Sequence, residues 1–187
     1  MDLKAFPRGE TPEVEGRGFA GLAEALPRKP LIAVVEGYAL AGGFEIVLSC
    51  DLVAAARSAQ FGLPEVKRSL VAAGGGLLRL PYHQAMEMAL TGEPITAERA
   101  RELGLVNRLV DDGQALACAL ELARTIAANG PLAVAATKQV LLQAPDWPQE
   151  KASAQQNAVT SPVFASLDAR EGATAFGEKR RPVWTGR

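Results

Sequence analysis

The stretch from Leu31 to Asp51, LIAVVEGYALAGGFEIVLSCD, carries the pattern that decides the fold. The run over residues 30–35 is short, apolar and rich in β-branched side chains, which is typical of a strand buried on both faces. A glycine turn then leads into residues 44–50, which are apolar enough for a buried helix, and residues 51–56 resume a strand-like run. The order strand, glycine turn, helix, strand predicts a βαβ-type unit and an α/β fold class.

The sequence after Gly74 has mainly helical patterns. Three helices are predicted over residues 97–103, 114–129 and 132–143. Thr96 is placed to cap the first of them, and Asp168 with Glu171 three residues later forms a capping-box variant that predicts the start of a last helix. Strands therefore come early in the chain and helices come late.

The organisation of the chain follows from these patterns. Residues 7–18, PRGETPEVEGRG, are dense in proline, glycine and charge, which predicts a loop with no core element. We predict an α/β core with the glycine turn over residues 1–112 and a helical region over residues 113–187.

The composition excludes several classes of protein. The chain has 187 residues, 48% of them hydrophobic, and its 20 Lys and Arg against 21 Asp and Glu leave no excess of positive charge to neutralise a nucleic-acid backbone. Its apolar runs are far shorter than the roughly 18 residues that a membrane span needs, and its first residues do not resemble a secretion signal. Cys50 and Cys118 lie far apart and indicate free thiols in a reducing compartment. We expect a cytoplasmic protein that binds neither nucleic acid nor membrane.

Two carboxylates near the glycine turn are the candidates for chemistry. Glu45 lies one helical turn after Gly42, and Glu65 follows in the segment FGLPE. Backbone amides at a glycine turn that opens a helix can stabilise a developing anion. A glycine turn before a helix is also common in packing, and a glutamate in a first turn often only complements the helix dipole. Both interpretations remain open on the pattern alone.

Four segments resemble one family of proteins. They are residues 31–51, residues 59–67 (AQFGLPEVK), residues 90–110 (LTGEPITAERARELGLVNRLV) and residues 175–187 (AFGEKRRPVWTGR). Together they resemble the crotonase superfamily, specifically enoyl-CoA hydratases and their carnitinyl-CoA dehydratase relatives. The resemblance implies a spiral of ββα turns with a helical C-terminal region that builds a trimer or a hexamer. It also implies that N-terminal turns of the spiral are missing from this chain.

The same resemblance implies an activity and its residues. The chain would be a lyase of fatty acid metabolism that adds or removes water across the 2,3 double bond of an enoyl-coenzyme A thioester, with no permanently bound cofactor and no metal. Glu45 would activate the water, Glu65 would carry the proton at C2, and the Gly42 N–H would bind the thioester oxygen. Two carboxylates that share one water repel each other, so one can act as acid and the other as base. The implied contacts of coenzyme A are Lys4, Ala41, Gly42, Phe176 and Lys179.

Departures from the family pattern keep alternatives open. The first oxyanion donor of the family precedes a segment that begins here at Met1, and losing such a donor costs roughly 10² to 10³ in rate. Ala73 stands where relatives have a glycine, and the stretch between Pro81 and Met86 is about one helical turn shorter than in relatives. An enoyl-CoA isomerase, which needs a single carboxylate, is one alternative. A non-catalytic subunit that binds acyl-coenzyme A or serves in assembly is the other.

Overall fold

Two units make up the part of the chain that the computed structural model describes, residues 8–187. The first unit combines residues 8–27 with Leu31–Glu121, and the second combines Arg28–Pro30 with Leu122–Arg187. The division falls within a helix, Ala115–Ala127. The boundary predicted after residue 112 stays a prediction.

The first unit holds all the strands of the described chain. In chain order they are β1 (Glu13–Val14), β2 (Gly18–Phe19), β3 (Ile32–Val35), β4 (Tyr38–Leu40), β5 (Leu52–Ala56), β6 (Gln60–Gly62), β7 (Ile95–Thr96) and β8 (Arg108–Val110). The helices between them are α1 (Gly42–Leu48), α2 (Gly76–Arg79), α3 (Tyr82–Thr91) and α4 (Ala97–Glu102), with a 3₁₀ helix at Pro64–Arg68. This mixture confirms the predicted α/β class.

One sheet has the strand order β3-β5-β8, and all its pairings are parallel. Ala54, Ala55 and Ala56 of the central strand are completely buried, as expected for a parallel strand covered on both faces. The predicted sequence of strand, helix and strand is confirmed in β3, α1 and β5, although α1 ends at Leu48 rather than at residue 50.

A second sheet has the order β4-β6-β7, in which β4 and β6 are parallel and β7 is antiparallel. The chain therefore passes from β3 to β4 to α1, and then from β5 to β6 to the following helices. Each of these passages is a ββα turn, and the second lies against the first through both sheets. The core between them includes the rings of Phe44 and Phe61, whose centroids are 5.6 Å apart.

The segment before these turns is more ordered than its sequence suggests. Within the described part of the predicted loop, β1 and β2 form a short antiparallel hairpin in which Glu13 is opposite Phe19. The expectation that residues 7–18 form a loop is therefore wrong for β1 and for Gly18, although both residues of β1 are exposed. Two-residue strands in a charged segment have too little periodicity to be recognised.

The second unit is helical. It holds the end of α5 (Ala115–Ala127), then α6 (Pro131–Gln143), α7 (Ala152–Phe164) and α8 (Leu167–Gly177). The predicted helices over residues 114–129 and 132–143 are confirmed within two residues. In the first unit, Thr96 caps α4 as predicted, because its hydroxyl accepts a hydrogen bond from the Arg99 N–H at 3.2 Å.

The predicted cap of α8 is wrong. Ser166 is the capping residue, and its Oγ accepts a hydrogen bond from the Ala169 N–H at 3.0 Å. The Asp168 carboxylate instead accepts hydrogen bonds from the Thr185 and Gly186 N–H groups, at 2.7 and 3.0 Å. Asp168 therefore holds the C-terminal segment onto α8, because that segment supplies donors that the pattern of α8 alone does not reveal.

The helices and the two cysteines bear on the predictions about membranes and disulfides. Among residues 8–187, none of the helices combines the length and the apolar character needed to cross a membrane. Neither Cys50 nor Cys118 forms a disulfide bond.

Candidate active site

A cavity of about 480 Å³ in the first unit brings the predicted catalytic residues together. Gly42, Glu45 and Glu65 all line it, and so does Ala41. The remaining lining residues come from the hairpin, from β4 and from the segment after β6: Pro12, Glu13, Phe19, Leu40, Pro64, Arg68, Leu70, Val71, Ala73 and Gly74. The wall is mostly apolar, as in sites that bind small molecules.

The Glu45 carboxylate lies against the backbone of Gly74 and Gly76, a position that we call the Glu45 niche. Glu45 is only 3% exposed, and its Oε1 accepts a hydrogen bond of 3.0 Å from the Gly76 N–H. A Cβ on Gly76 would stand 2.9 Å from Cγ of Glu45, and a Cβ on Gly74 would stand 2.9 Å from Oε2. Both distances are shorter than real Cβ contacts, so only glycine at these two positions leaves room for the carboxylate in this position.

Glu65 belongs to the 3₁₀ helix that follows β6, and it holds its proton more tightly than an ordinary glutamate. Burial raises its pKa, a hydrogen bond from its own backbone N–H lowers it, and the charge of Glu45 raises it further. Its Oε2 is buried and has no hydrogen-bond partner among the described residues. The arrangement places one carboxyl group with a raised pKa and a second carboxyl group in the same cavity, which suits acid–base chemistry.

The turn before α1 is strained in a way that is common at functional sites. Ala41 has φ 52° and ψ −132°, a conformation that residues with a side chain rarely adopt. Its N–H donates to the Gly62 carbonyl at 2.9 Å, which fixes the turn to the end of β6. Gly42 lines the cavity at the start of α1, and the first N–H groups of a helix lack an intrahelical acceptor.

The other predicted contacts do not line this cavity or cannot be placed. Lys4 lies outside the described residues. Phe176 and Lys179 lie at and just beyond the end of α8 in the second unit, where Phe176 is 87% exposed. Their predicted contact with coenzyme A stays a prediction. Ala73, which the resemblance places where relatives have glycine, does line the cavity.

Sequence reasoning missed three elements of the site. It did not select Phe19, because the residue lies next to a segment interpreted as a loop. It also missed Arg68 and the role of Gly76 as the donor to Glu45. The run of three glycines at residues 74–76 is the signal that could have indicated a close approach to another group.

Comparison with known proteins gives consistent matches over the whole chain. Residues 22–187 match the family model described as enoyl-CoA hydratase/isomerase. A carnitinyl-CoA dehydratase from Salmonella typhi is 41% identical over 197 aligned positions, which cover 100% of this chain and 76% of the relative. Among solved structures, an enoyl-CoA hydratase from Mycobacterium marinum is 58% identical with a TM-score of 0.96. Another, from Mycobacterium tuberculosis H37Rv, is 59% identical with a TM-score of 0.96. In both, the match covers 100% of this chain and 75% of the other.

Proposed function

The chain belongs to the enoyl-CoA hydratase/isomerase family of the crotonase superfamily, and from that premise we propose that it adds water to, or removes water from, the 2,3 double bond of an acyl-coenzyme A thioester. The observation that carries this proposal is the placement of Glu45 and Glu65 on one cavity together with Gly42. An isomerase needs only one carboxylate to move a proton, so the pair favours the lyase.

The environments of the two carboxyl groups support a division of roles. Glu45 acts as the base: its carboxylate takes a proton from water as the water oxygen bonds to C3. Glu65 acts as the acid that delivers a proton to C2, and the raised pKa of its carboxyl group supports this role. The π electrons of the double bond move toward C2 and the thioester oxygen, and the Gly42 N–H stabilises the charge that develops there. Dehydration runs through the same steps in reverse.

Coenzyme A enters this proposal as part of the substrate, and the side chains supply the acid and the base without a permanently bound cofactor. Ala41 and Gly42, which line the cavity, are proposed to contact the thioester, and Phe176 and Lys179 are proposed to contact coenzyme A. The proposed setting is fatty acid metabolism in the cytoplasm, and two cysteines that form no disulfide, Cys50 and Cys118, are consistent with a reducing compartment.

Self-association as a trimer or a hexamer is part of the same proposal. The second unit exposes large apolar side chains, among them Leu141, Phe164, Leu167, Phe176 and Val183. Exposed apolar groups of this number favour burial against other subunits. Light scattering at micromolar concentration tests this, and a monodisperse monomer would contradict it.

Hydration of crotonyl-CoA tests the activity, because loss of the conjugated thioester is visible as loss of its absorbance. We expect turnover by the wild-type chain and a large loss of turnover in Glu45→Gln and in Glu65→Gln. A wild-type chain that binds acyl-CoA without turning it over would instead be a binding subunit. A chain that only converts a 3-enoyl-CoA to its 2-enoyl isomer would be an isomerase.

A further inference from the structure

The ring of Phe19 lies directly beside the Glu45 niche. A Cβ on Gly74 would stand 2.9 Å from Cγ of Phe19 and equally close to Oε2 of Glu45, so the ring and the carboxylate are neighbours across the bare Gly74. The other end of the ring reaches Gly42, where a Cβ would overlap Cζ of Phe19. The ring therefore spans the floor of the cavity from Gly74 to the start of α1.

The ring of Phe19 has no room to move closer to Gly42 or Gly74. Even one added carbon at Gly42 or Gly74 would collide with the ring, which means that ring and backbone are already in close contact. Of the residues described as lining the cavity, Phe19 is the one aromatic side chain. Any acyl group that needs the space beside Glu45 must fit against this ring or displace it.

The backbone that carries Phe19 is tied to the same glycine segment that holds Glu45. The Leu22 and Ala23 N–H groups donate to the Phe19 carbonyl at 3.1 and 3.2 Å. The Arg79 guanidinium then donates to the Ala23 carbonyl at 2.6 Å and to the Gly75 carbonyl at 3.0 Å. This bridge joins the segment after β2 to the glycine run, so movement of the backbone that carries Phe19 costs hydrogen bonds, while the ring itself is held by packing.

We propose that Phe19 is a specificity-determining residue, which admits acyl groups with a small substituent on C3 and excludes those with a bulky one. The inference rests on the proposed function, in which C3 of the substrate lies next to the water held by the two glutamates. A methyl group on C3, as in crotonyl-CoA, fits beside a fixed ring. A phenyl group on C3, as in cinnamoyl-CoA, collides with it.

The test compares kcat/KM for crotonyl-CoA and cinnamoyl-CoA in the wild-type chain, Phe19→Ala and Phe19→Leu. One methylene in an apolar pocket changes discrimination by about 10- to 200-fold. Phe19→Ala should therefore raise the cinnamoyl-to-crotonyl ratio by at least about tenfold, with a smaller rise in Phe19→Leu. Val14→Ala is the matched control, because Val14 lies on the same hairpin, is 45% exposed and does not line the cavity. Its ratio should equal that of the wild type.

An unchanged ratio in Phe19→Ala with crotonyl-CoA turnover retained overturns the proposal. Calorimetric Kd values for butyryl-CoA and 3-phenylpropionyl-CoA provide a readout that does not depend on catalysis, and the Kd ratio should shift in the same direction by a similar factor. A wild-type chain that hydrates neither substrate refutes the proposed function, while the Kd ratio still decides the role of Phe19. No shift in that ratio in either Phe19 variant overturns the role whatever the activity.

Discussion

The change Gly76→Ala tests whether the niche around Glu45 matters for catalysis. The new Cβ would stand 2.9 Å from Cγ of Glu45 and 3.2 Å from its Oε1, so the carboxylate has to move. A displacement of about 1 Å in a reacting group costs on the order of 10² in rate. We therefore expect kcat to fall by about 10²-fold, equivalent to about 2.7 kcal/mol of activation free energy. KM should change little, because the acyl-binding wall is untouched.

The fold should tolerate this change. Gly76 begins α2 with an ordinary helical backbone, and alanine is favoured over glycine in a helix by about 1 kcal/mol. That gain partly offsets an overpacking cost of about 1–3 kcal/mol. Thermal unfolding should therefore show a cooperative transition near that of the wild type.

Steady-state hydration of crotonyl-CoA and a binding titration with butyryl-CoA together provide the assay. Gly43→Ala is the matched control, because Gly43 also lies in a short helix of the first unit and a Cβ there meets nothing within 4 Å. Its kcat should equal that of the wild type. Wild-type kcat in Gly76→Ala would refute the reasoning, since it would show that the position of the Glu45 carboxylate does not limit the reaction.

Three further predictions concern other parts of the chain. Glu65→Gln should lower kcat by about 10²- to 10⁴-fold and leave the Kd of butyryl-CoA unchanged, and retained turnover would show that Glu65 is structural. Arg79→Lys should raise the cinnamoyl-to-crotonyl ratio of kcat/KM, but by less than Phe19→Ala does. The reason is that lysine lacks the planar guanidinium that binds the Ala23 and Gly75 carbonyls together. An unchanged ratio would mean that this bridge does not hold Phe19 in place. The hydrogen bonds from Arg180 lower the pKa of Glu171 from 4.5 to about 2, so the stabilisation by Glu171 is present above pH 4.5 and is lost as the pH falls toward 2. The melting temperature should fall over that range by more in the wild type than in Glu171→Gln, and parallel curves would contradict this.

Part of the fold could be predicted because its signals are local. β3, α1 and β5 each show their apolar pattern within a few residues, and Thr96 caps α4 as its sequence indicates. β4 could not be predicted, because its three residues acquire regular structure by pairing with the distant β6. The cap of α8 was misassigned because Asp168 has stronger partners at the C-terminus than in its own helix.

The site shows the same limit. The resemblance supplied the pairing of Glu45 with Glu65, since the glycine turn alone also fits a purely structural interpretation. Phe19 could not be recognised from the sequence, because its contacts with Gly42 and Gly74 form only when the chain folds. Nothing in the hydrophobic pattern of its neighbours indicates that contact, because the pattern reports which face of an element is buried and not what lies against it.

The long connection between β5 and β8 has a consequence for synthesis of the chain. β5 pairs with β3 through residues 32–35 and with β8 through residues 108–110. A ribosome delivers β3, α1 and β5 long before β8, so the nascent sheet has an open edge along Ala54–Ala56 until the later strand arrives. Open edges of apolar strands promote association between chains. We therefore expect the edge of β5 to be exposed to association with other chains until β8 has emerged and paired with it.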